Sequence, residues 1–317
     1  MTGSIAVHGE ALIDLIDDGH DRYCSFAGGS PVNVAIGLAR QGMTVSYLSP
    51  LSNDNFGDQL HAALDREGVG VPIRRRSRRP TSLALVNVDE RGAPNYRLYR
   101  DGVADKDTSF GEIASNLPDD TAVFHTGSLA ITPSQLPRIR RLLELMRSRD
   151  ITISMDINIR LRASADPRSY LDGVRSLLPM VDIVKASDED LEPFRFAPEA
   201  REAAALAYEE MGSGILVLTE GKGGARLFTQ DCVVETTAYS ILDVEDSVGA
   251  GDTFHSALLA ALVRGGAIGG RLRDADPVHL KAALDFACAA AAINVSRVGC
   301  DPPTRAEVEG FVLTANR

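Results

Sequence analysis

Cysteine is scarce in this chain. Its four cysteines, Cys24, Cys232, Cys288 and Cys300, are scattered and show no CxxC spacing. Neither a disulfide framework nor a zinc site is indicated, and a reducing compartment fits. The six histidines lack metal-ligand spacing as well. Long apolar runs are missing: the longest, around 286–295, is too short and too Ala-rich to span a bilayer. The N-terminus, MTGSIAVHGEALIDLID, has no basic region leading into an uninterrupted apolar core, so it does not read as a signal peptide. These absences predict a cytoplasmic protein with no membrane partner.

Basic charge is also in deficit. The 33 Lys and Arg stand against 44 Asp and Glu, a formal net charge of -11, which argues against nonspecific binding to nucleic acid. One cluster runs the other way, Arg74, Arg75, Arg76, Arg78 and Arg79. Without interleaved aromatics it reads as a solvated connector. Three common fingerprints are absent too. Gly221-Lys222 is followed by glycine and has none five positions earlier, so there is no P-loop. No GxGxxG follows the first strand, and no GxSxG elbow supports a hydrolase.

What is present is an ordinary globular composition, 44% hydrophobic and 24% charged over 317 residues. Residues 5–7 read as a short buried strand, and 10–16 with 23–27 as an antiparallel pair. Ser30 as N-cap and Pro31 at the first helical position open a helix with a buried face of Val34, Ala35, Leu38 and Ala39; Gly42 ends it. A strand at 44–49 and a helix at 54–67 follow. Segments 82–88 and 94–99 form a hairpin around 89–92. From 122 the order becomes regular: strand 122–126, helix 134–149, strand 151–156, helix 167–178, strand 181–185, helices 187–195 and 198–211, strand 214–219. That alternation implies crossover connections and a parallel sheet covered on both faces. A hairpin at 225–236 precedes helices at 250–264, 277–295 and 304–314, the last opened by the capping box Thr304-Arg-Ala-Glu307. No repeat or long linker interrupts the chain. The expectation is one domain over 1–317, with a small β lid made from segments about 11–27 and 82–100. Such a lid would cover a cleft at the carboxyl ends of the strands.

One stretch gathers the chemistry: DVEDSVGAGDTFHSALLAALVR, residues 243–264. A chain entering a helix through Gly249-Ala250-Gly251 leaves backbone N–H groups bare, and with the helix dipole they form an anion site. Asp252 sits where it could take a proton from a hydroxyl brought up to that anion, and the helix N-terminus would keep it ionised. Its other reading is a capping carboxylate. Further polar residues fall at strand ends. Asn33 lies in a first helical turn beside Gly28 and Gly29, and could point its amide at whatever approaches. Asp14 interrupts an apolar run, either facing the lid's cleft or facing out. Asn158 and Arg160 follow one strand and could hold a phosphate. Lys185 and Ser187 follow the next, with Ser187 as N-cap and Asp190 as first-turn charge on the plainer reading. Thr219, Gly221 and Gly223 follow another, where glycines would let a nucleotide lie on backbone or would simply turn the chain.

DSVGAGDTFHSALLAAL resembles the C-terminal signature of the ribokinase-like (PfkB) carbohydrate kinases, and GGSPVNVAIGLARQGMTVSYLSPLSNDNFGDQL resembles their N-terminal one. The likeness of organisation covers essentially the whole chain. It implies a Rossmann-like three-layer α/β/α sandwich with a β lid, and ATP-dependent phosphorylation of a sugar hydroxyl with Mg²⁺. By motif position Asp252 would be the base, and Gly249, Ala250 and Gly251 the anion hole. Asp14, Gly29 and Asn33 match sugar-contacting positions, with Gly28 beside them. Thr219 and Gly221 match the nucleotide segment, and Asn294 a place near the base pocket. Asp246 matches a carboxylate that helps hold a monovalent cation, K⁺, in many members. The family's Asn-x-x-Glu reads Ser187-Asp-Glu-Asp190 here, so Asp190 would serve Mg²⁺ only indirectly.

Within the family, GGSPVNVA, YRDGVAD and DINIR look most like fructokinases. Similar segments occur in 2-keto-3-deoxygluconate kinases; Arg97 and Arg100 on the lid hairpin could approach a sugar or acid substrate or simply face solvent, and a cationic lid would favour an acid sugar. Ribokinase or adenosine kinase activity, and a sugar-binding sensor on the same fold, complete the alternatives. Family members commonly dimerise through the lid, although the lid sequence here shows no obvious apolar stripe.

Overall fold

Val, Ile and Leu runs bounded by Gly, Asp and Ser build strands buried on both faces, and the helices between them supply the covering layers. We describe the fold from a computed structural model, over residues 3–17, 22–88, 94–241, 243–266 and 276–314. The hairpin turn expected at 89–92 lies outside these residues.

The strands are β1 (Ser4–Val7), β2 (Leu12–Asp17), β3 (Tyr23–Gly28), β4 (Val45–Tyr47), β5 (Ser82–Val88), β6 (Pro94–Tyr99), β7 (Thr121–Gly127), β8 (Thr152–Asp156), β9 (Ile183–Ser187), β10 (Ile215–Thr219), β11 (Ala225–Phe228) and β12 (Val233–Thr236). The helices are α1 (Ser30–Arg40), α2 (Asn55–Arg66), α3 (Phe110–Ser115), α4 (Leu136–Ser148), α5 (Pro167–Arg175), α6 (Asp188–Leu191), α7 (Ala200–Met211), α8 (Ala250–Arg264), α9 (Pro277–Val295) and α10 (Arg305–Thr314).

Eight strands form the main sheet, in the order β12-β11-β10-β9-β8-β7-β1-β4. From β4 to β10 the pairs are parallel, whereas β11 and β12 join antiparallel at one edge. The sheet is thus mixed and not wholly parallel, because a short hairpin connection leaves no room for a crossover. One apolar core lies between the sheet and α1, α8 and α9, with Leu38, Leu258, Leu259 and Leu284 fully buried. The other holds Leu142, Leu143, Ile153 and Tyr170 on the opposite face. The result is a three-layer α/β/α sandwich.

A second sheet, β3-β2-β5-β6, is drawn from the two segments read as an outlying β element. Asp54 joins it to the body: it caps α2 through the Gly57 N–H at 2.7 Å and accepts from the Thr81 N–H and Oγ at 2.8 and 2.6 Å. The lid exposes Tyr23, Phe26 and Tyr99 at 45%, 49% and 52%, an apolar surface the sequence pattern did not reveal.

Several local expectations change. Helix α3 was not expected; its Ser109 cap serves only six residues, too few to show a period. The helix expected at 187–195 shrinks to α6, followed by a 3-10 turn at Glu192–Phe194 that contains Pro193. The arginine cluster is less free than composition implied: Arg75 reaches Asp107 and Glu112, Arg76 reaches Asp58, and Arg79 reaches Asp107. Helix α9 is long and apolar enough to cross a membrane by composition. It packs against α8, β11, β12 and α10 instead, with Leu280, Leu284 and Ala287 inside.

Candidate active site

Helix α8 begins where the glycines permit it. Gly249 stands at φ 72°, in the left-handed region, and the Thr253 N–H is bonded to the Gly249 carbonyl at 2.8 Å. The amides of Gly251 and Asp252 precede that first full turn, in the position where helix geometry leaves donors for an anion. A Cβ on Gly251 would come within 2.9 Å of Lys185 Nζ, so the ammonium sits close against this backbone. Lys185 lies in the middle of β9 and bonds Asp156 Oδ1 and Oδ2 at 3.2 and 3.1 Å. Both are buried. Burial opposes the Lys185 charge, but Asp156, Asp190 and Asp252 outweigh it and raise its pKa. Burial pushes Asp156 up to about 7 against the pull of Lys185. The turn therefore combines bare amides with a fixed ammonium, which suits a phosphoryl group.

Asp252 is 7% exposed and held from the other end of the chain. Ser30 Oγ donates to Oδ1 at 2.6 Å and Asn33 Nδ2 donates to Oδ2 at 2.8 Å. This corrects the expected role of Ser30. Gly29, not Ser30, is the N-cap of α1, and the Asn33 amide is engaged on the carboxylate. Burial raises the Asp252 pKa, against the bonds from Ser30 and Asn33 and the charges of Lys185 and Arg160. Asp252 is thus a more proton-avid carboxylate than a helix N-terminus alone would make it.

Asp14 comes from the lid. Its side chain lies over Gly28, where a Cβ would collide with Oδ2. Burial, then the nearby Asp252 charge, pushes Asp14 up to about 6. Asp14, Gly28, Gly29, Ser30, Asn33 and Asp252 are therefore neighbours, and the two carboxylates are close enough to influence each other.

The remaining expected residues divide. Arg160 is exposed and near enough to influence Asp252, while Asn158 stands at φ 37° in the same segment. Asp190 accepts the Ile159 N–H at 2.7 Å and the Ser187 N–H and Oγ at 2.8 Å each, closing a capping box. It ties the 157–160 segment to β9. Thr219 ends β10, and Gly221 and Gly223 lie exposed in the turn after it. Asn294 is fully buried, donating to the Val248 carbonyl at 2.9 Å and accepting from Thr253 Oγ and the Asp301 N–H. It braces the turn from inside and does not line an open pocket. Asp246 accepts the Val248 and Gly299 N–H groups at 2.9 and 3.0 Å.

Arg100 departs from its expected place. It is buried, bonded to Asp105 at 2.6 Å and to Ser82 at 2.8 Å, because the 101–105 turn folds a carboxylate back onto it. It reaches only the wall of a cavity of about 480 Å³ beside the lid, along with Leu98, Lys106, Leu129 and Arg162. Arg97 is exposed on β6, the edge strand of the lid. Ser30 and the Asp156 partner of Lys185 were missed as site groups. The unusual lysine in Ile183-Val184-Lys185-Ala186 was the one available signal for the second.

A cation is also addressed by this donor set. Among the described residues no group of three or more His, Cys, Asp or Glu is placed to hold a metal. Single carboxylates beside an anion turn fit a divalent ion held chiefly by phosphate oxygens and water.

Known proteins place this geometry. The pfkB family carbohydrate kinase pattern matches residues 2–307. The chain is 31% identical over 258 residues to a fructokinase from Rhizobium leguminosarum bv. trifolii, covering 80% of this chain and 78% of that protein. It superposes with a TM-score of 0.86 and 26% identity on a fructokinase with bound ATP from Xylella fastidiosa, over 99% of each chain. A fructokinase from Vibrio cholerae O395, bound to fructose, ADP and a calcium ion, shares the fold at TM-score 0.83 and 22% identity, over 98% and 99% of the two chains. With its two motifs joined at Asp252, the chain belongs to the pfkB family of carbohydrate kinases.

Proposed function

We propose that this protein is an ATP-dependent fructokinase, transferring the γ-phosphoryl group of ATP to a hydroxyl of fructose. The observation that carries the reading is the Asp252 carboxylate. It is buried, braced by Ser30 and Asn33, and sits directly after the Gly249–Gly251 turn and its Lys185 ammonium. Similarity to fructokinases supports the sugar.

In this mechanism the acceptor hydroxyl lies between Asp14 and Asp252. Asp252 accepts its proton as the oxygen attacks, a contribution of about 10²–10⁴-fold. The Gly251 and Asp252 amides and Lys185 stabilise charge on the transferring group in line with the attack. Arg160 approaches the same charge from the 157–160 segment. Thr219, Gly221 and Gly223 offer backbone to the nucleotide. A divalent cation, Mg²⁺ in this reading, neutralises phosphate charge when bound, and Asp190 serves it indirectly through Ile159 and Ser187. Asp246 and the 299 backbone would frame a K⁺ site. Assembly as a homodimer through Tyr23, Phe26 and Tyr99 of the lid belongs to the same proposal, and sedimentation of the Phe26→Ser variant as a monomer would support it.

The decisive test is a screen of ATP-dependent ADP release with fructose, 2-keto-3-deoxygluconate, ribose and adenosine. Fructose should give the highest kcat/KM. Preference for the acid sugar would replace the substrate and keep the reaction; no acceptor-dependent ADP release would favour a sensor.

A further inference from the structure

Under the turn, the main sheet carries a buried polar row that the mechanism above does not use. His125 on β7 and Ser154 on β8 are register neighbours. Ser154 Oγ lies 3.1 Å from His125 Nδ1 and 2.7 Å from His255 Nε2 on α8. One hydroxyl thus bridges the two rings. The two ring centroids are 4.9 Å apart, and the three residues are 1%, 0% and 0% exposed in chain order. Burial, with the Lys185 charge behind it, drives His125 down to about 3. Burial, then His125 and Lys185, keeps His255 well below its usual value. Both rings are neutral at any working pH.

Stability alone does not call for this cluster. Apolar side chains of similar volume would fill the layer without leaving His255 Nδ1 buried and unpartnered. A directional bond adds something that apolar packing lacks. Leu258, Leu259 and Leu262 hold α8 against its surroundings, but they tolerate small slides and rotations of a helix. A buried hydrogen bond specifies one arrangement.

The spacing shows what is specified. Two residues beyond Ser154, Asp156 pairs in register with Lys185, and Lys185 Nζ lies against Gly251. Helix α8 therefore meets the sheet at two polar points, Gly251 on Lys185 and His255 on Ser154. Along the helix, four residues rise about 6 Å. Along the strand, two residues rise about 6.6 Å. The repeats match, so one helical turn is pinned to one pleat repeat. Asp252 stands inside that pinned turn.

We propose that the Ser154–His255 hydrogen bond, backed by His125, is a positioning device that sets the register and rotation of α8 and so aims Asp252 and its turn at the reacting groups. The inference rests on Asp252 being the base. A misplacement on the order of 1 Å in such a group can lower turnover about 10²-fold, so a modest loosening of the helix is readable in kcat.

The test uses the full chain with ATP and its turned-over sugar, comparing His255→Leu, His255→Gln and Ser154→Ala, with Asp252→Asn alongside. His255→Leu should lower kcat at least about tenfold. Sugar KM should stay near wild type, because Asp14 and Asn33 stand on other elements, and Tm should not fall. His255→Gln, which still offers Ser154 a partner, should restore kcat to within about threefold. Ser154→Ala reads the same bond from the strand side if the leucine variant does not fold, and should show the same kcat loss at unchanged sugar KM. Wild-type kcat in His255→Leu or Ser154→Ala would overturn the inference. So would a kcat loss that follows Tm equally in all three variants. A fully active His255→Leu beside an inactive Asp252→Asn sinks the positioning role alone, whereas an active Asp252→Asn sinks the base assignment and the inference together.

Discussion

Asn33 donates its side-chain amide to Asp252 at 2.8 Å, across 219 residues of chain. With the Ser30 hydroxyl at 2.6 Å on the other oxygen, it makes the N-terminal glycine motif and the C-terminal one a single unit. Both bonds favour the ionised carboxylate and oppose the upward push of burial. Removing either one should raise the Asp252 pKa further. For a base, activity is lost as pH falls through that value, so the acidic limb of the kcat/KM profile should move to higher pH in Asn33→Ala and Ser30→Ala. A limb that stays in place in both variants would detach these residues from the base. Because Gly29 is the cap of α1, any fall in Tm in Ser30→Ala reflects the lost bond to the buried carboxylate and not a lost cap.

Asp14 sets activity against stability. Its ordinary value of 3.8 is pushed up to about 6 by burial and by Asp252. The folded state thus binds this proton more tightly than the unfolded one. The resulting stabilisation is complete below pH 3.8 and is lost as pH rises through about 6. Asp14→Asn should therefore raise Tm at pH 8, give little change at pH 3.5, and lose most sugar binding. Thermal scans at the two pH values, with sugar KM, check it. An equal Tm change at both would contradict the electrostatic cause.

Lys185→Met should lower kcat/KM for ATP by at least about tenfold, because a buried charge aimed at the phosphoryl group is removed. It also leaves Asp156 without its partner, and breaking a buried pair typically costs about 3–5 kcal/mol. Protonation of Asp156, whose value lies at about 7, relieves that loss. The variant's Tm deficit should accordingly be larger at pH 8.5 than at pH 5.5. Steady-state kinetics and calorimetry at the two pH values decide it.

Asp54→Ala should cost about 1–2 kcal/mol as a lost helix cap, and should loosen the lid's attachment at Thr81. Burial opposes the Asp54 charge, yet the bonds from Thr81 and Gly57 outweigh it and lower its pKa. That stabilisation is present above the unfolded value near 3.8 and fades as pH falls through the folded one. Urea unfolding should show the deficit at pH 7 and its loss at the acid extreme.

The alternation of strands and helices, the lid segments and the turn at Gly249 were legible because each is a local pattern. What the pattern could not carry was partnership over distance. Ser-Pro before an apolar helix reads as a cap, and only the arrival of α8 turns Ser30 toward Asp252. A helix N-terminus suggests an ionised Asp252, but desolvation depends on the layers closing around it. Arg100 reads as a lid residue facing a substrate until the 101–105 turn returns Asp105 to it. The β11–β12 hairpin was visible, while its antiparallel docking on β10 was not, since periodicity says nothing about which edge a hairpin joins. His125, Ser154 and His255 are single polar letters inside apolar elements, and nothing in sequence brings them together.

The most direct test of the account is turnover by Asp252→Asn, measured with ATP affinity and Tm on the same preparation. The account predicts a kcat lower by at least about 10²-fold, with ATP binding retained and the fold intact. Turnover near the wild-type level in a folded, ATP-binding Asp252→Asn protein would contradict it.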